Sequence, residues 1–113
     1  MKEVTYLGQR QDGGAVTVWR MKDNNPHNDQ RQELTPTASQ DLINHSPNGF
    51  EWGYGGSGPA QLALAICLDA IGDPDMALRV YQEFKWRVIA RLQHETWRIR
   101  VQFDGEEIDG VAA

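Results

Sequence analysis

Between Gly49 and Gly58 the chain reads Gly49-Phe50-Glu51-Trp52-Gly53-Tyr54-Gly55-Gly56-Ser57-Gly58, which holds five of its eleven glycines and leads directly into Pro59 and an apolar segment. Glycine loses more backbone freedom on folding than any other residue. Five of them beside a tryptophan and a tyrosine therefore imply a backbone path that side chains would obstruct. Ser57 or Gly58 suits a helix N-cap, and Pro59 suits the first helical position, where its missing N–H costs nothing. The helix expected from there to about Ile71 is apolar on nearly every side, with Gln61 and Asp69 as its polar exceptions. Such a helix is buried and central.

Gly72 can terminate that helix in the left-handed conformation, and Asp73-Pro74 supplies a new N-cap and first position. Met76, Ala77, Val80, Tyr81, Phe84, Val88 and Leu92 then recur at three- and four-residue spacing, predicting an amphipathic second helix that runs to Leu92 and folds back on the first. Glu83, Arg87 and Arg91 stand four apart on its outer side. Nearer the N-terminus, β-branched and aromatic residues alternate with polar ones over Glu3–Arg10 and Ala15–Met21, and Asp12-Gly13-Gly14 between them is turn chemistry. Residues 22 to 32 read as a polar loop, Leu34 to Pro36 as a short extended piece, and Thr37 or Ser39 as the cap of a helical turn through Asp41, Leu42 and Ile43. Trp97, Ile99, Val101 and Phe103 alternate strictly with Arg98, Arg100 and Gln102, giving a strand with one core face and one basic face. The expected fold is α+β, in the order β-β-α-α-β: an antiparallel sheet of at least three strands packed on a two-helix hairpin.

At 113 residues the chain is expected to form a single domain over 1–113. The one cysteine, Cys67, lies within the apolar helix, which excludes an intramolecular disulfide and a cysteine-based zinc site. His27, His45 and His94 fall in unrelated segments without ligand spacing, so no metal is expected, and no cofactor either. Met1-Lys2-Glu3-Val4-Thr5 lacks the apolar core of a signal peptide, and no stretch approaches the ~20 apolar residues of a membrane span. A cytoplasmic location is the default expectation, with no membrane partner. The net charge of −5 argues against general nucleic-acid binding, although Arg79, Lys85, Arg87, Arg91, Arg98 and Arg100 cluster in one region. Residues 104–113 read as an acidic, solvated tail carrying Asp104, Glu106, Glu107 and Asp109.

Gly53-Tyr54-Gly55-Gly56-Ser57-Gly58 matches the GxGxxG pattern in form, and backbone N–H groups at a helix start can hold a phosphate or carboxylate. A dinucleotide site, however, needs a βαβ unit, and here helix follows helix. Tyr54, Gly55, Gly56 and Ser57 remain candidates for a smaller anion. His45 and Glu51 form a candidate acid–base pair with Ser46 or Ser57 as nucleophile, set against a structural role for the His-Ser-Pro turn. Trp19 has the opposite strand parity to Val16 and Val18. It is therefore expected on the open face of the sheet near Arg98 and Arg100, a composition suited to a partner interface.

The block His45-Ser46-Pro47-Asn48-Gly49-Phe50-Glu51-Trp52-Gly53-Tyr54-Gly55-Gly56-Ser57-Gly58-Pro59-Ala60-Gln61-Leu62-Ala63-Leu64-Ala65 resembles a family of small bacterial, plasmid and phage proteins classed as a domain of unknown function. The resemblance extends over most of the chain, through Tyr6-x-Gly8-x-Arg10 and Phe84-Lys85-Trp86-Arg87-Val88, and leaves out the polar loop and the acidic tail. It implies a shared fold and a frequent association with mobile elements, and it brings no catalytic residues. The favoured expectation is a small non-enzymatic protein that binds another protein, at its most specific a phage- or plasmid-encoded inhibitor of a host defence complex such as CRISPR. One alternative is an anion- or nucleotide-binding module at the glycine run. A second is an enzyme using His45 and Glu51, and nucleic-acid binding through Trp19, Arg98 and Arg100 is less favoured.

Overall fold

The computed structural model describes residues 2–22 and 30–112. It contains β1 (Lys2–Arg10), β2 (Val16–Met21), β3 (Arg31–Glu33), α1 (Thr37–Leu42), α2 (Ser57–Ile71), α3 (Pro74–Arg87), a 3-10 turn at Ile89–Arg91, β4 (Thr96–Phe103) and β5 (Ile108–Ala112). The five strands form one antiparallel sheet in the order β3-β2-β1-β4-β5, and the hairpin of α2 and α3 packs across one face. The fold is α+β, with a wider sheet than the three strands that alternation reveals.

The β1–β2 hairpin turns where glycine permits it, with Gly14 at φ +93°. On the helix-facing side of the sheet Val4, Tyr6, Val18, Trp97, Ile99, Val101 and Ile108 are buried against α2 and α3. Tyr6 pins the sheet to α2: its hydroxyl donates to Asp69 Oδ2 at 2.6 Å, and Arg20 from the neighbouring strand reaches the same carboxylate at 3.3 Å. Burial, reinforced by Asp69, pushes the Tyr6 phenol far above its ordinary range. Gly8 allows the Trp97 indole to lie directly on the strand, since a Cβ there would come within 2.2 Å of the ring.

Helix starts and stops follow local chemistry, with three differences from expectation, the first being that Pro36, and not Thr37 or Ser39, is the N-cap of α1. Gly72 ends α2 at φ +77°, and the Asp73 carboxylate accepts the N–H of Asp75 at 3.0 Å, capping α3 ahead of Pro74. The N-cap of α2 is Gly56, so Pro59 stands third in the helix; it still lies in the first turn, where no intrahelical N–H is needed. The second helix stops at Arg87 and does not reach Leu92. The Ile89 carbonyl accepts the N–H of Gly53 at 3.1 Å, which ties the end of α3 to the glycine run and leaves Arg91 off the helical row of Glu83 and Arg87.

Two segments read as irregular carry strands. Within the polar loop of 22 to 32, residues 23–29, including His27, lie outside the described residues, while Arg31–Glu33 pairs with Trp19–Met21 as β3. The acidic tail is not simply solvated. The Asp104 carboxylate accepts the N–H groups of Glu106 at 2.9 Å and Glu107 at 2.8 Å, turning the chain so that β5 pairs with β4. Ile108 then enters the core, Gly110 passes beneath Val88 and Phe84, and Asp109 bonds Arg87 at 2.8 Å.

Candidate functional site

β3 covers only part of the outer edge of β2. Even-numbered residues of β2 direct their backbone groups away from β1: Lys22 N–H donates to Gln30, and Val18 C=O accepts from Leu34 N–H at 2.8 Å. Odd-numbered Ala15 instead bonds Gln11 across the hairpin. After Leu34 the chain leaves the sheet, because Pro36 stands at the N-cap of α1. Val16 is the next even residue, so its N–H and C=O point outward, with no hydrogen bond from either among the described residues. Facing this edge across a groove of about 590 Å³ is the loop from Ser46 to Gly58.

That loop is fixed from beneath by Gln61. Its buried side-chain oxygen accepts from the N–H groups of His45 at 2.8 Å and Ser46 at 3.0 Å, and its amide donates to Ser39 Oγ at 2.8 Å and Ile43 O at 3.1 Å. The His45 ring bonds the Tyr81 hydroxyl at 2.8 Å, joining the loop to α3. Glu51 faces elsewhere: it accepts from Arg10 and from Trp52 N–H, while the Arg10 guanidinium also reaches Glu95 at 2.6 Å and lies 4.5 Å over the Trp52 ring. The bond to Glu51 holds Arg10 still more firmly protonated. Trp52 meets Trp97 edge-to-face at 5.3 Å, and its indole N–H donates to His94 O at 3.0 Å. The Trp97 indole N–H is buried without a partner among the described residues.

The glycines of the run serve close internal packing. A Cβ on Gly55 would stand 2.0 Å from the Trp86 ring, one on Gly56 2.3 Å from the Tyr54 ring, and one on Gly58 2.7 Å from Glu51 Cβ. Gly53, at φ +90°, has the Leu92 carbonyl 2.9 Å from its Cβ position. Rings of the protein itself occupy the space that missing side chains leave at Gly55 and Gly56. Both rings are more than half exposed, Tyr54 at 53% and Trp86 at 56%.

The residues singled out by sequence are therefore divided among several places. Glu51, Tyr54 and Ser57 line the groove together, whereas Gly55 and Gly56 do not, and His45 is turned to Tyr81. No hydrogen bond joins His45 to Glu51 among the described residues. Trp19 lies on the sheet face away from the helices, opposite Leu7, which in turn stands opposite Arg98. Arg31, rather than Arg98 or Arg100, stacks on Trp19, at 4.6 Å. Arg100 is exposed on the same face, while Thr5 and Met21 there are buried. Among the described residues no three His, Cys, Asp or Glu side chains form a group able to hold a metal ion, and no helix is long and apolar enough to cross a membrane.

Val16 and Glu33 are groove residues that composition and motif do not identify. The parity of β2 was visible in the sequence, but the point where β3 ends was not. Comparison with known proteins found no match among curated proteins or solved structures. A family model described as "Family of unknown function (DUF6166)" matches residues 6–109, and the chain belongs to that family.

Proposed function

We propose that this chain is a non-enzymatic protein-binding module whose contact surface is the groove between the β2 edge and the loop from Ser46 to Gly58. The observation that carries this reading is the groove itself, which joins unpaired strand backbone to exposed Tyr54 and to Ser57. An aromatic ring and open backbone groups at a groove suit recognition of another chain. A binding role is favoured over acid–base catalysis because His45 and Glu51 are each held by a different structural partner. At its most specific, the reading is an inhibitor encoded by a phage or plasmid and acting on a host defence complex such as CRISPR, for which the mobile-element resemblance speaks.

The test is affinity capture of the tagged chain at low expression, with quantitative mass spectrometry of what co-purifies and a groove variant, Tyr54→Ala, in parallel. A partner protein near 1:1 that is depleted with Tyr54→Ala is the expected result. Recovery of no stoichiometric protein under gentle, low-salt lysis would refute the reading.

A further inference from the structure

We propose that the groove takes an extended, basic segment of a partner protein as an added strand, paired antiparallel with β2 at Val16. This deepens the protein-binding reading and rests on it. The outward N–H and C=O of Val16 form the two-bond set that a residue on a neighbouring antiparallel strand exchanges. β3 already uses the same edge at Val18, Arg20 and Lys22, so an added strand continues an existing ladder along the line that the chain abandons at Pro36. Strand addition of this kind draws affinity from the main chain and specificity from alternate side chains.

Charge defines the occupant. Glu33 and Glu51 are the charged residues lining the groove among the described residues; Glu51 is already neutralised by Arg10, so Glu33 sets the sign of the groove. Glu33 stands opposite Trp19 and so lies on the sheet face away from the helices, whereas Val16 shares the helix-facing parity of Val18. An occupant residue opposite Val16 therefore turns toward the side that carries Phe50, Tyr54 and Ser57, and its two neighbours turn toward the side of Glu33. The segment that fits is extended, with a small or apolar residue between two basic ones. Glu33 is exposed and makes no ion pair among the described residues, which leaves its carboxylate available to such a neighbour.

The test uses a capped, fluorescein-labelled heptapeptide of alternating Lys and Val, the same peptide with Glu for Lys, and the full chain as wild type, Val16→Pro and Glu33→Gln. Proline at position 16 removes the outward N–H and leaves the β1 side of the ladder, served by odd residues, its hydrogen bonds; Val16→Ala, which also trims the side chain packed on the core but keeps the N–H, is the control and should bind like wild type. The expected result is saturable binding of the Lys-Val peptide, weakened about tenfold by Val16→Pro and about threefold by Glu33→Gln, with the Glu-Val peptide at least tenfold weaker. Amide shifts in an NMR titration should centre on Val16 and Leu34. Equal binding to wild type and Val16→Pro, shifts confined to another face, or no saturable binding would overturn the proposal. If Val16→Pro does not fold, the peptide N-methylated at alternate residues makes the same test from the other strand, and undiminished binding overturns the proposal. A wild-type dimer in sedimentation that Glu33→Gln strengthens would assign the edge to a second copy and also overturn it. A stoichiometric cellular partner retained by Val16→Pro would refute strand addition while leaving the protein-binding reading intact; peptide binding at Val16 without any cellular partner would do the reverse.

Discussion

Replacing Gln61 by leucine tests whether the loop that walls the groove is held by one buried amide. Leucine is close in size, so the cavity left is small, and the loss is chiefly one of hydrogen bonding. The half-buried Ser46 N–H loses its acceptor outright, while the His45 N–H keeps a longer bond to Ile43 O at 3.2 Å. The exposed Ile43 carbonyl loses the Gln61 amide but keeps the His45 N–H, and Ser39 keeps its bond to Pro36 O at 2.9 Å. One orphaned N–H at about 1–1.5 kcal/mol and one weakened bond at about 0.5 kcal/mol give a loss of about 1.5–2 kcal/mol. For a domain of this size about 4 °C accompanies each kcal/mol, so the thermal midpoint should fall by about 6–8 °C. Circular dichroism melting and urea unfolding, with the m-value checked for constancy, measure this directly. A Gln61→Leu midpoint within about 2 °C of wild type would refute the reasoning, because the amide would then not be what holds the loop.

The glycine run should respond unevenly to alanine. Gly53→Ala, with a positive φ and a backbone oxygen in the way, should cost about 2–4 kcal/mol in urea unfolding, while Gly55→Ala should cost about 1 kcal/mol because the exposed Trp86 ring can swing aside. Comparable losses at the two positions would contradict that distinction. Cys67, fully buried and with its thiol pushed upward by burial, should resist an aromatic disulfide reagent in the native protein and react at once in denaturant. Asp104 titrates below the usual carboxylate range because the N–H groups of Glu107 and Glu106 stabilise its charge. Its contribution to the β4–β5 turn is therefore complete above an ordinary aspartate pKa and is lost as pH falls through the lowered native value, so a carboxylate titration by NMR should place Asp104 below the ordinary aspartate range.

Elements with their own punctuation were legible in the sequence. Gly72 followed by Asp73-Pro74 marks the helical hairpin, the alternation from Trp97 to Phe103 marks β4, and Asp12-Gly13-Gly14 marks the first turn. β3 was illegible because Arg31, Gln32 and Glu33 are all polar and exposed; the edge of β2, not their own preference, makes them a strand. β5 was hidden by the acidic residues before it, since Ile108 enters the core and Gly110 passes beneath Val88 and Phe84 only once the Asp104 turn brings the chain back. The crowding implied by the glycine run was real: at Gly56 and Gly58 it comes from Tyr54 and Glu51 within the run, but at Gly55 and Gly53 its agents, Trp86 and the Leu92 carbonyl, are 31 and 39 residues further along and could not be identified from local spacing. The groove depends on where one strand stops beside another, and no pattern within either strand records that.

The strand order carries a consequence for how the chain is made. Of the five strands of the sheet β1 is the first to be synthesised, and it takes the middle place, flanked by β2 on one side and by β4 on the other. Its second neighbour does not exist until Thr96–Phe103 has been synthesised, which at about 5–20 residues per second is a delay of several seconds. During that interval Val4 and Tyr6 have no sheet partner on the β4 side, and the strand's open edge is available to any other extended chain. Nascent copies on one polysome should therefore be the main hazard to folding. Lowering translation density on the message should raise the soluble yield more than lowering temperature does.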